Sequence, residues 1–193
     1  MNLEEFTKFV WNNSLKLNFG NKPYWKKDVF LKSWVDNKYP GEYKNEPGLY
    51  WIATDVKLET FKKLSKPSDL PNNACDFART TQNSLNLFKN DIAHYKSNIP
   101  VIYNGHRNKV FSRLRAHFGL NNDNTGALGI NYYPLHNYDW KVYIFHKERI
   151  NRLSFLSPKD KKQLQLLLIE RKGRAAIESM WRALYGWPIL CKS

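Results

Sequence analysis

An apolar run followed by a turn signal and an amphipathic helix constrains the fold of this 193-residue chain more than any other stretch. Residues 99–103 read Ile-Pro-Val-Ile-Tyr, which predicts a buried strand, and Asn104-Gly105 predicts a turn after it. The next segment has an apolar stripe at helical spacing, formed by Val110, Phe111, Leu114 and Phe118. The sequence therefore predicts a strand, a turn and a helix that begins near Lys109.

Polar residues on the same helix indicate chemistry. Lys109, Arg113 and His117 follow at four-residue intervals, so they share one flank of the helix. We expect Tyr103, at the exit of the strand, to face Arg113 and His117. A guanidinium stabilises charge on phosphate oxygens, and a phenol or imidazole transfers a proton. The trio suits phosphodiester chemistry, although an Arg and a His at this spacing commonly form only a solvated helix flank.

Further motifs occur in a fixed order around this segment. Gly48-Leu49-Tyr50 comes before it, Tyr103-Asn104-Gly105 lies within it, and Ala176-Ile177-Glu178 follows on a helix that should end near Gly186 and Pro188. The order and spacing of these motifs resemble the GIY-YIG nuclease superfamily. The resemblance extends from about Pro47 to the C-terminus, and it rests on order and spacing more than on any single triplet.

The resemblance implies catalytic roles for several residues. Arg113 lies ten residues after Tyr103, where the family has its catalytic arginine. His117 matches a histidine of the restriction and homing branches. Glu178 matches the glutamate that holds the divalent metal, which we expect to be one Mg²⁺ or Mn²⁺ ion per active site.

The resemblance also implies that Tyr50 activates the attacking water. A phenol with a pKa of about 10 is a poor base at neutral pH, so another group must help it to ionise. The metal, Arg113 and the imidazoles of His106 and His117 are candidates for that help. Tyr103 is expected to position the water or the phosphate by hydrogen bonding.

The chain departs from the family pattern at three places. The two signature tyrosines are 53 positions apart, so residues from about 55 to 98 look like an insertion. His106 stands where the family often has a lysine, and Cys191 replaces an asparagine that follows the late proline. Restriction members of the family tolerate such insertions, and the chain looks most like the type II restriction endonuclease branch.

We expect an α+β fold with a small antiparallel sheet of about three strands flanked by helices. Residues 47–193 would form the catalytic domain, with a helical insertion at about 55–98, and residues 1–46 an N-terminal helical arm. In the insertion, apolar spacing predicts a helix near Thr81–Lys96. A last helical region should begin at Ser157-Pro158, an N-cap followed by proline, with a possible break at Gly173.

The charge distribution favours a nucleic-acid partner. The formal net charge is +14, and residues 101–193 carry +10 of it. A positive surface near the proposed catalytic residues is expected for a protein that binds a phosphate backbone. The candidate DNA-contacting residues are Lys26 and Lys27 in the arm, where lysines alternate with aromatic residues, together with Lys109 and Arg115. Alternatively, Trp25 and Tyr39 only pack the arm onto the core.

Cysteine content and the N-terminus bear on location. Cys75 and Cys191 are the only cysteines, which favours neither a zinc site nor a disulfide framework. The first residues lack the features of a signal peptide, and no apolar stretch is long enough for a membrane span. We expect a cytoplasmic protein without a membrane partner.

The sequence thus predicts a sequence-specific, metal-dependent type II restriction endonuclease. Such an enzyme would act on double-stranded DNA as a homodimer, since two-fold symmetry matches a palindromic site, and would have a companion methyltransferase. Alternatives from the same class are a structure-specific or homing-type nuclease that acts as a monomer. Alternatives from a different class are a catalytically silent DNA-binding protein and an RNA-binding module.

Overall fold

The structure is a computed structural model that describes residues 1–18, 30–71, 74–119 and 126–192. Within these residues the chain forms eight α-helices and a four-stranded antiparallel sheet, with helices on both faces. The predicted α+β class is confirmed. Of the proposed DNA-contacting residues, Lys26 and Lys27 lie outside the described residues, as does Trp25.

The strands are β1 (Leu15–Asn18), β2 (Gly48–Thr54), β3 (Val101–Arg107) and β4 (Trp140–His146), in the spatial order β1-β4-β2-β3. β1 adds a fourth strand to the approximately three that the sequence predicts. It pairs antiparallel with β4, and its leucines are buried while its polar residues are exposed. β3 lies at the other edge of the sheet, next to β2.

The helices are α1 (Leu3–Asn12), α2 (Lys32–Lys38), α3 (Leu58–Lys63), α4 (Phe77–Phe88), α5 (Ala93–Lys96), α6 (Val110–Gly119), α7 (Pro158–Ile169) and α8 (Arg171–Tyr185). Short 3-10 helices cover Lys89–Asp91, Ile130–Tyr132 and Lys147–Arg152. Ser157 caps α7 as predicted, since its side chain accepts a hydrogen bond from the backbone N–H of Asp160.

Both faces of β2 are buried, because side chains alternate between the two sides of the sheet. Tyr50 and Ile52 belong to a core that includes the apolar stripe of α6, and we name this side the α6 face. Leu49 and Trp51 belong to a second core with residues of α1, α7 and α8, and we name this side the α8 face. The sheet therefore separates two packed layers, and groups from both layers can reach its β3 edge.

The predicted turn at Asn104-Gly105 is wrong. β3 continues through both residues to Arg107, and Gly105 pairs with Tyr50 while Asn104 pairs with Trp51. The glycine serves close packing instead of a turn, because a Cβ atom at Gly105 would lie 2.5 Å from Tyr50 Oη. Consequently Tyr103 lies in the middle of β3 and not at its exit.

Two predicted helix boundaries also need correction. The insertion helix near Thr81–Lys96 is α4, which starts earlier and ends at Phe88, where the next residue, Lys89, adopts a positive φ of 39°. The final helical region breaks at Glu170, whose backbone is extended, and not at Gly173. Gly173 lies inside α8, where the missing Cβ lets the backbone of Leu167 approach closely.

Candidate active site

A small cleft opens along β3 and is lined by residues from β2, β3, α6 and α8. Tyr50, Tyr103, His106, Arg113 and Glu178 all line it, together with Asn104, Gly105, Arg107 and Arg171. His117 lies behind Tyr50, with its ring fully buried. The structure therefore brings together every catalytic candidate taken from the sequence.

The cleft has two halves that lie on opposite faces of β3. The pairing with β2 puts Tyr103 and Gly105 on the α6 face, and Asn104 and His106 on the α8 face. We name the first set the phenol half (Tyr50, Tyr103, Arg113, His117) and the second the glutamate half (Asn104, His106, Glu178, Arg182). The halves meet across Gly105, which has no side chain to separate them.

A hydrogen-bond chain orients Tyr50 in the phenol half. The backbone N–H of Leu128 donates to His117 Nδ1 at 3.2 Å, so this ring nitrogen must be an acceptor. The proton of the neutral imidazole is therefore on Nε2, which lies 2.8 Å from Tyr50 Oη and donates to it. Because Oη accepts this bond, the phenol's own proton remains available to another partner.

Burial keeps the rings of the phenol half neutral. It lowers the pKa of His117 well below its usual value, and the charge of Arg113 lowers it further. Burial also raises the pKa of Tyr50 well above its usual value and that of Tyr103 to about 12. Both phenols are consequently protonated at neutral pH in the substrate-free protein.

Arg113 opposes this effect at both phenols. Its guanidinium lowers the pKa of Tyr50 and of Tyr103 by its charge and by hydrogen bonding. The side chain is buried, at 8% exposure, and Nη2 donates to the carbonyl of Gly126 at 3.2 Å. Arg113 is thus a fixed positive charge beside the two phenol oxygens, and not the solvated flank residue of the alternative interpretation.

An ion pair dominates the glutamate half. Arg182 Nη2 donates to Glu178 Oε1, one turn away on α8, and Arg182 Nε donates to Asn104 Oδ1 at 3.0 Å. Glu178 is therefore engaged in an ion pair within its own helix. The second carboxylate oxygen, Oε2, lies 3.6 Å from His106 Nε2. Burial raises the pKa of Glu178, whereas the charge and hydrogen bond of Arg182 lower it.

His106 supplies a neutral ring at the place where the family often has a lysine. Burial lowers its pKa to about 4, and Arg174 and Arg107 contribute to the shift. Its Nδ1 atom is buried and has no hydrogen-bond partner among the described residues. At neutral pH His106 therefore offers a lone pair and no positive charge.

The donor atoms of the glutamate half fit a sparse metal site. Glu178 Oε2 and the neutral His106 Nε2 face each other in the cleft and can both ligate a divalent cation. Across the described ranges, no group of three or more His, Cys, Asp or Glu side chains is arranged to hold a metal ion. Of the two donor atoms, the carboxylate oxygen is the one that suits Mg²⁺, which keeps several water ligands and binds phosphate oxygens.

A basic groove adjoins the cleft. It is lined by His106, Arg107, Asn108, Lys109, Ser112, Arg113, Arg171 and Arg174. Lys109 therefore lies beside the catalytic candidates. Arg115 lies on a different side of α6, near Tyr43, where burial raises the pKa of the phenol and the charge of Arg115 partly opposes that rise.

Some of the site residues were not proposed from the sequence. Arg107 lines both the cleft and the basic groove, and its position two residues after Gly105 in a strand is the signal that would have found it. No sequence pattern of this kind identifies Arg171 as a residue of the cleft. Arg182 is four residues after Glu178, and that helical spacing is the signal for its contact with the carboxylate.

Cys191, at the position where the resemblance would place an asparagine, contacts β3. Its Sγ atom donates to Asn104 Oδ1 at 3.3 Å and accepts from the backbone N–H of Asn104 at 3.4 Å. Burial raises the pKa of its thiol to about 12. Cys191 is therefore an uncharged residue that fixes Asn104, and Asn104 in turn accepts from Arg182.

Comparison of the chain with protein-family models, with curated proteins and with solved structures gave no match. The resemblance to GIY-YIG nucleases thus rests on the sequence motifs alone. Among the helices in the described ranges, none combines the length and the apolar character needed to cross a membrane.

Proposed function

We propose that this protein is a metal-dependent DNA endonuclease of the GIY-YIG type, and specifically a type II restriction enzyme. The observation that carries the proposal is the convergence of Tyr50, Tyr103, Arg113 and Glu178 on one cleft, although they are far apart in the sequence. The basic groove beside the cleft supports a substrate with a phosphate backbone.

Arg113 is the residue proposed to bind the scissile phosphate. Its guanidinium is held by Gly126 and lies next to both phenols, so its position is fixed before substrate binds. A fixed guanidinium stabilises the additional negative charge of the transition state better than a flexible lysine. Arg107 and Arg171 line the same cleft and would contact neighbouring phosphate oxygens.

Tyr50 is proposed as the general base, acting as a tyrosinate. His117 Nε2–H donates to Tyr50 Oη, and Arg113 adds a positive charge, so both groups stabilise the ionised phenol. In this tautomer His117 cannot remove the phenol's proton, because its other nitrogen accepts from Leu128. His117 is therefore proposed as a hydrogen-bond donor to the tyrosinate and not as its base.

Glu178 would hold the metal ion through Oε2, beside the neutral ring of His106. A bound Mg²⁺ or Mn²⁺ would polarise the phosphate and neutralise developing charge. Arg182 occupies Glu178 Oε1 and thereby directs Oε2 towards the cleft. Tyr103 stacks on Tyr50, with 6.2 Å between ring centroids, and its hydroxyl would orient the water or the phosphate.

The remaining parts of the proposal follow from the restriction-enzyme assignment. A palindromic duplex site would be bound by a homodimer, with one active site for each strand. The enzyme would act in the cytoplasm, and a companion methyltransferase would protect the host's own sites. The division into an arm (1–46) and a catalytic domain (47–193) stays a prediction, although β1 of the arm pairs with β4.

A catalytically silent DNA-binding protein is the second candidate function. Glu178 already forms an ion pair with Arg182, and burial keeps both phenols protonated. Both properties are also expected if these residues only stabilise the fold and do not take part in catalysis. The basic groove would serve such a protein equally well. Cleavage, and not binding, separates the two functions.

The test is cleavage of long unmodified duplex DNA with Mg²⁺ or Mn²⁺. We expect discrete fragments that disappear with EDTA and with Glu178→Gln, which removes the charge but keeps the shape of the side chain. Glu59→Gln is the matched control, because Glu59 is an exposed helical glutamate outside the cleft. Salt-sensitive DNA binding without cleavage would support the silent protein, and cleavage unaffected by Glu178→Gln would contradict the proposed site.

A further inference from the structure

Helix α4 in the insertion presents an exposed face that carries an arginine and amide side chains. Arg79, Gln82, Asn83 and Asn86 share this face at helical spacing and are all exposed. The opposite side of the helix is buried through Phe77, Thr81 and Ser84. Arg, Asn and Gln are the side chains that make bidentate hydrogen bonds to guanine and adenine in the major groove.

Leu190 and Cys191, near the C-terminus, connect α4 to β3 through hydrogen bonds. Ser84 Oγ on α4 donates to the backbone carbonyl of Cys191 at 3.4 Å. The next links run to β3, since Cys191 Sγ donates to Asn104 Oδ1 at 3.3 Å and Leu190 N–H donates to Ile102 O at 2.8 Å. The position of α4 relative to the cleft is therefore fixed by hydrogen bonds.

A polar groove runs along α4 between its exposed and buried sides, and it adjoins a cavity that shares residues with the cleft. The groove is lined by Lys66, Ala74, Asp76, Arg79, Thr80, Asn83, Ser84, Leu87, Cys191 and Lys192. Cys191 and Lys192 also line the adjoining cavity, which reaches Tyr103, Arg107, Arg113 and Arg182. The groove's three cationic side chains outnumber its single carboxylate, Asp76, which caps α4.

We propose that α4 is a sequence-reading helix, which contacts base edges of duplex DNA beside the scissile phosphate. Arg79 would bind guanine and Asn83 adenine, and Lys66 and Lys192 would bind the phosphates that flank them. The inference rests on the proposed function, because it takes duplex DNA as the substrate. It adds the residues that decide which sequence is cut.

The side chains of α4 favour a duplex over a single strand. The exposed face of α4 is built from hydrogen-bonding side chains, and its only large exposed apolar residue is Leu87. Recognition of single strands relies on aromatic platforms for base stacking, and the described residues that line the groove include no aromatic one. An α-helix with polar side chains is the size that the major groove of duplex DNA admits.

The experiment selects binding sites from a random duplex library with the Glu178→Gln protein, so that the readout does not require cleavage. Arg79→Ala and Asn83→Ala are then added to Glu178→Gln separately. The matched controls are Lys159→Ala and Gln163→Ala, which lie on α7 with exposed side chains and outside these grooves. We expect the controls to select the parent sequence.

Loss of a bidentate base contact should reduce discrimination at one base pair by about 5- to 150-fold. We therefore expect Arg79→Ala to relax the selected sequence at a G·C pair, and Asn83→Ala at an A·T pair. A uniform loss of affinity for all sequences, with a smaller salt dependence, would show phosphate contacts only and overturn base reading. An unchanged sequence preference, or no preference in the parent, would also overturn it.

The two proposals fail in distinguishable ways. If the protein with intact Glu178 cuts at the selected site and the α4 variants change nothing, the nuclease stands and the reading helix is refuted. If the α4 variants change the selected sequence but no protein cuts DNA, the reading helix stands and the nuclease is refuted.

Discussion

The two halves of the cleft share one edge strand, yet they hold their polar groups differently. In the phenol half, neutral rings are fully or largely buried and are joined by hydrogen bonds, with Arg113 as the fixed charge. In the glutamate half, a carboxylate and a guanidinium form an ion pair, and one carboxylate oxygen remains directed at His106. The first environment disfavours ionisation, whereas the second contains ionised groups.

This difference suggests a division of tasks. A buried phenol that is costly to ionise but is contacted by two stabilising groups suits proton transfer that begins only when substrate or metal adds charge. A carboxylate with one oxygen occupied and the other open suits cation binding. Gly105 matters because it is the point at which these two environments contact each other.

Removal of the Tyr50 hydroxyl should have the largest effect. Tyr50→Phe should lower the cleavage rate by about 10²- to 10⁴-fold, the usual contribution of general acid–base catalysis. Single-turnover cleavage of a labelled duplex measures this, with the exposed Tyr95→Phe as the matched control. A Tyr50→Phe protein with the parent rate would show that the phenol half does not perform the chemistry.

The pH dependence of cleavage should also differ between the parent enzyme and Tyr50→Phe. Because the pKa of Tyr50 is raised, the ionised fraction at pH 7 is small and increases with pH. We expect log kcat/KM to rise between about pH 7 and pH 9, with a slope near one, for the parent enzyme. In Tyr50→Phe the residual rate should lose this rise.

A side chain at the junction of the halves should have the next largest effect. In Gly105→Ala the new Cβ would lie 2.5 Å from Tyr50 Oη, so the phenol must shift and its hydrogen bond with His117 is disturbed. Since a displacement of about 1 Å in a catalytic group costs about 100-fold in rate, we expect a loss of at least that size. Circular dichroism should show a folded protein, and cleavage at the parent rate would contradict the role given to Gly105.

The smallest expected effect is on the free energy of unfolding, and it comes from His146, which lies on the α6 face away from the cleft. His146 is completely buried, neither ring nitrogen has a hydrogen-bond partner among the described residues, and burial lowers its pKa to about 4. The unfolded chain therefore binds a proton below about pH 6.5 that the folded protein does not bind.

Stability should accordingly decrease as pH falls from about 6.5 towards 4, by about 1 kcal/mol per pH unit for this histidine. His146→Phe should reduce that dependence, as measured by urea unfolding at pH 7 and pH 5. An identical pH dependence in the variant would show that His146 does not control it. His117 has a lowered pKa for the same reason and should contribute a similar acid-dependent loss.

Local patterns predicted the elements of the fold better than their junctions. The helix after Lys109 followed from apolar spacing, and the start of α7 followed from its cap residue. The turn predicted from Asn104-Gly105 was wrong, because this dipeptide lies within β3 and its glycine allows close packing against Tyr50. Such a contact joins residues 55 positions apart and leaves no local signal.

The candidate site shows the same limit. Tyr50, Arg113 and Glu178 could be proposed because each stands within a motif of fixed spacing. The neutral state of His106, the tautomer of His117 and the position of Arg171 depend on tertiary burial and on backbone groups such as Leu128 N–H. No sequence pattern encodes these properties.

The most direct test of the central claim is a double-mutant cycle across Gly105, with Tyr50→Phe and Glu178→Gln alone and combined. If the two halves act on one phosphate as a unit, the double variant should cut duplex DNA at about the same rate as the slower single variant. Single-turnover cleavage with saturating protein measures all four rates. Effects that multiply in the double variant would contradict the account, because they would show that the halves act independently.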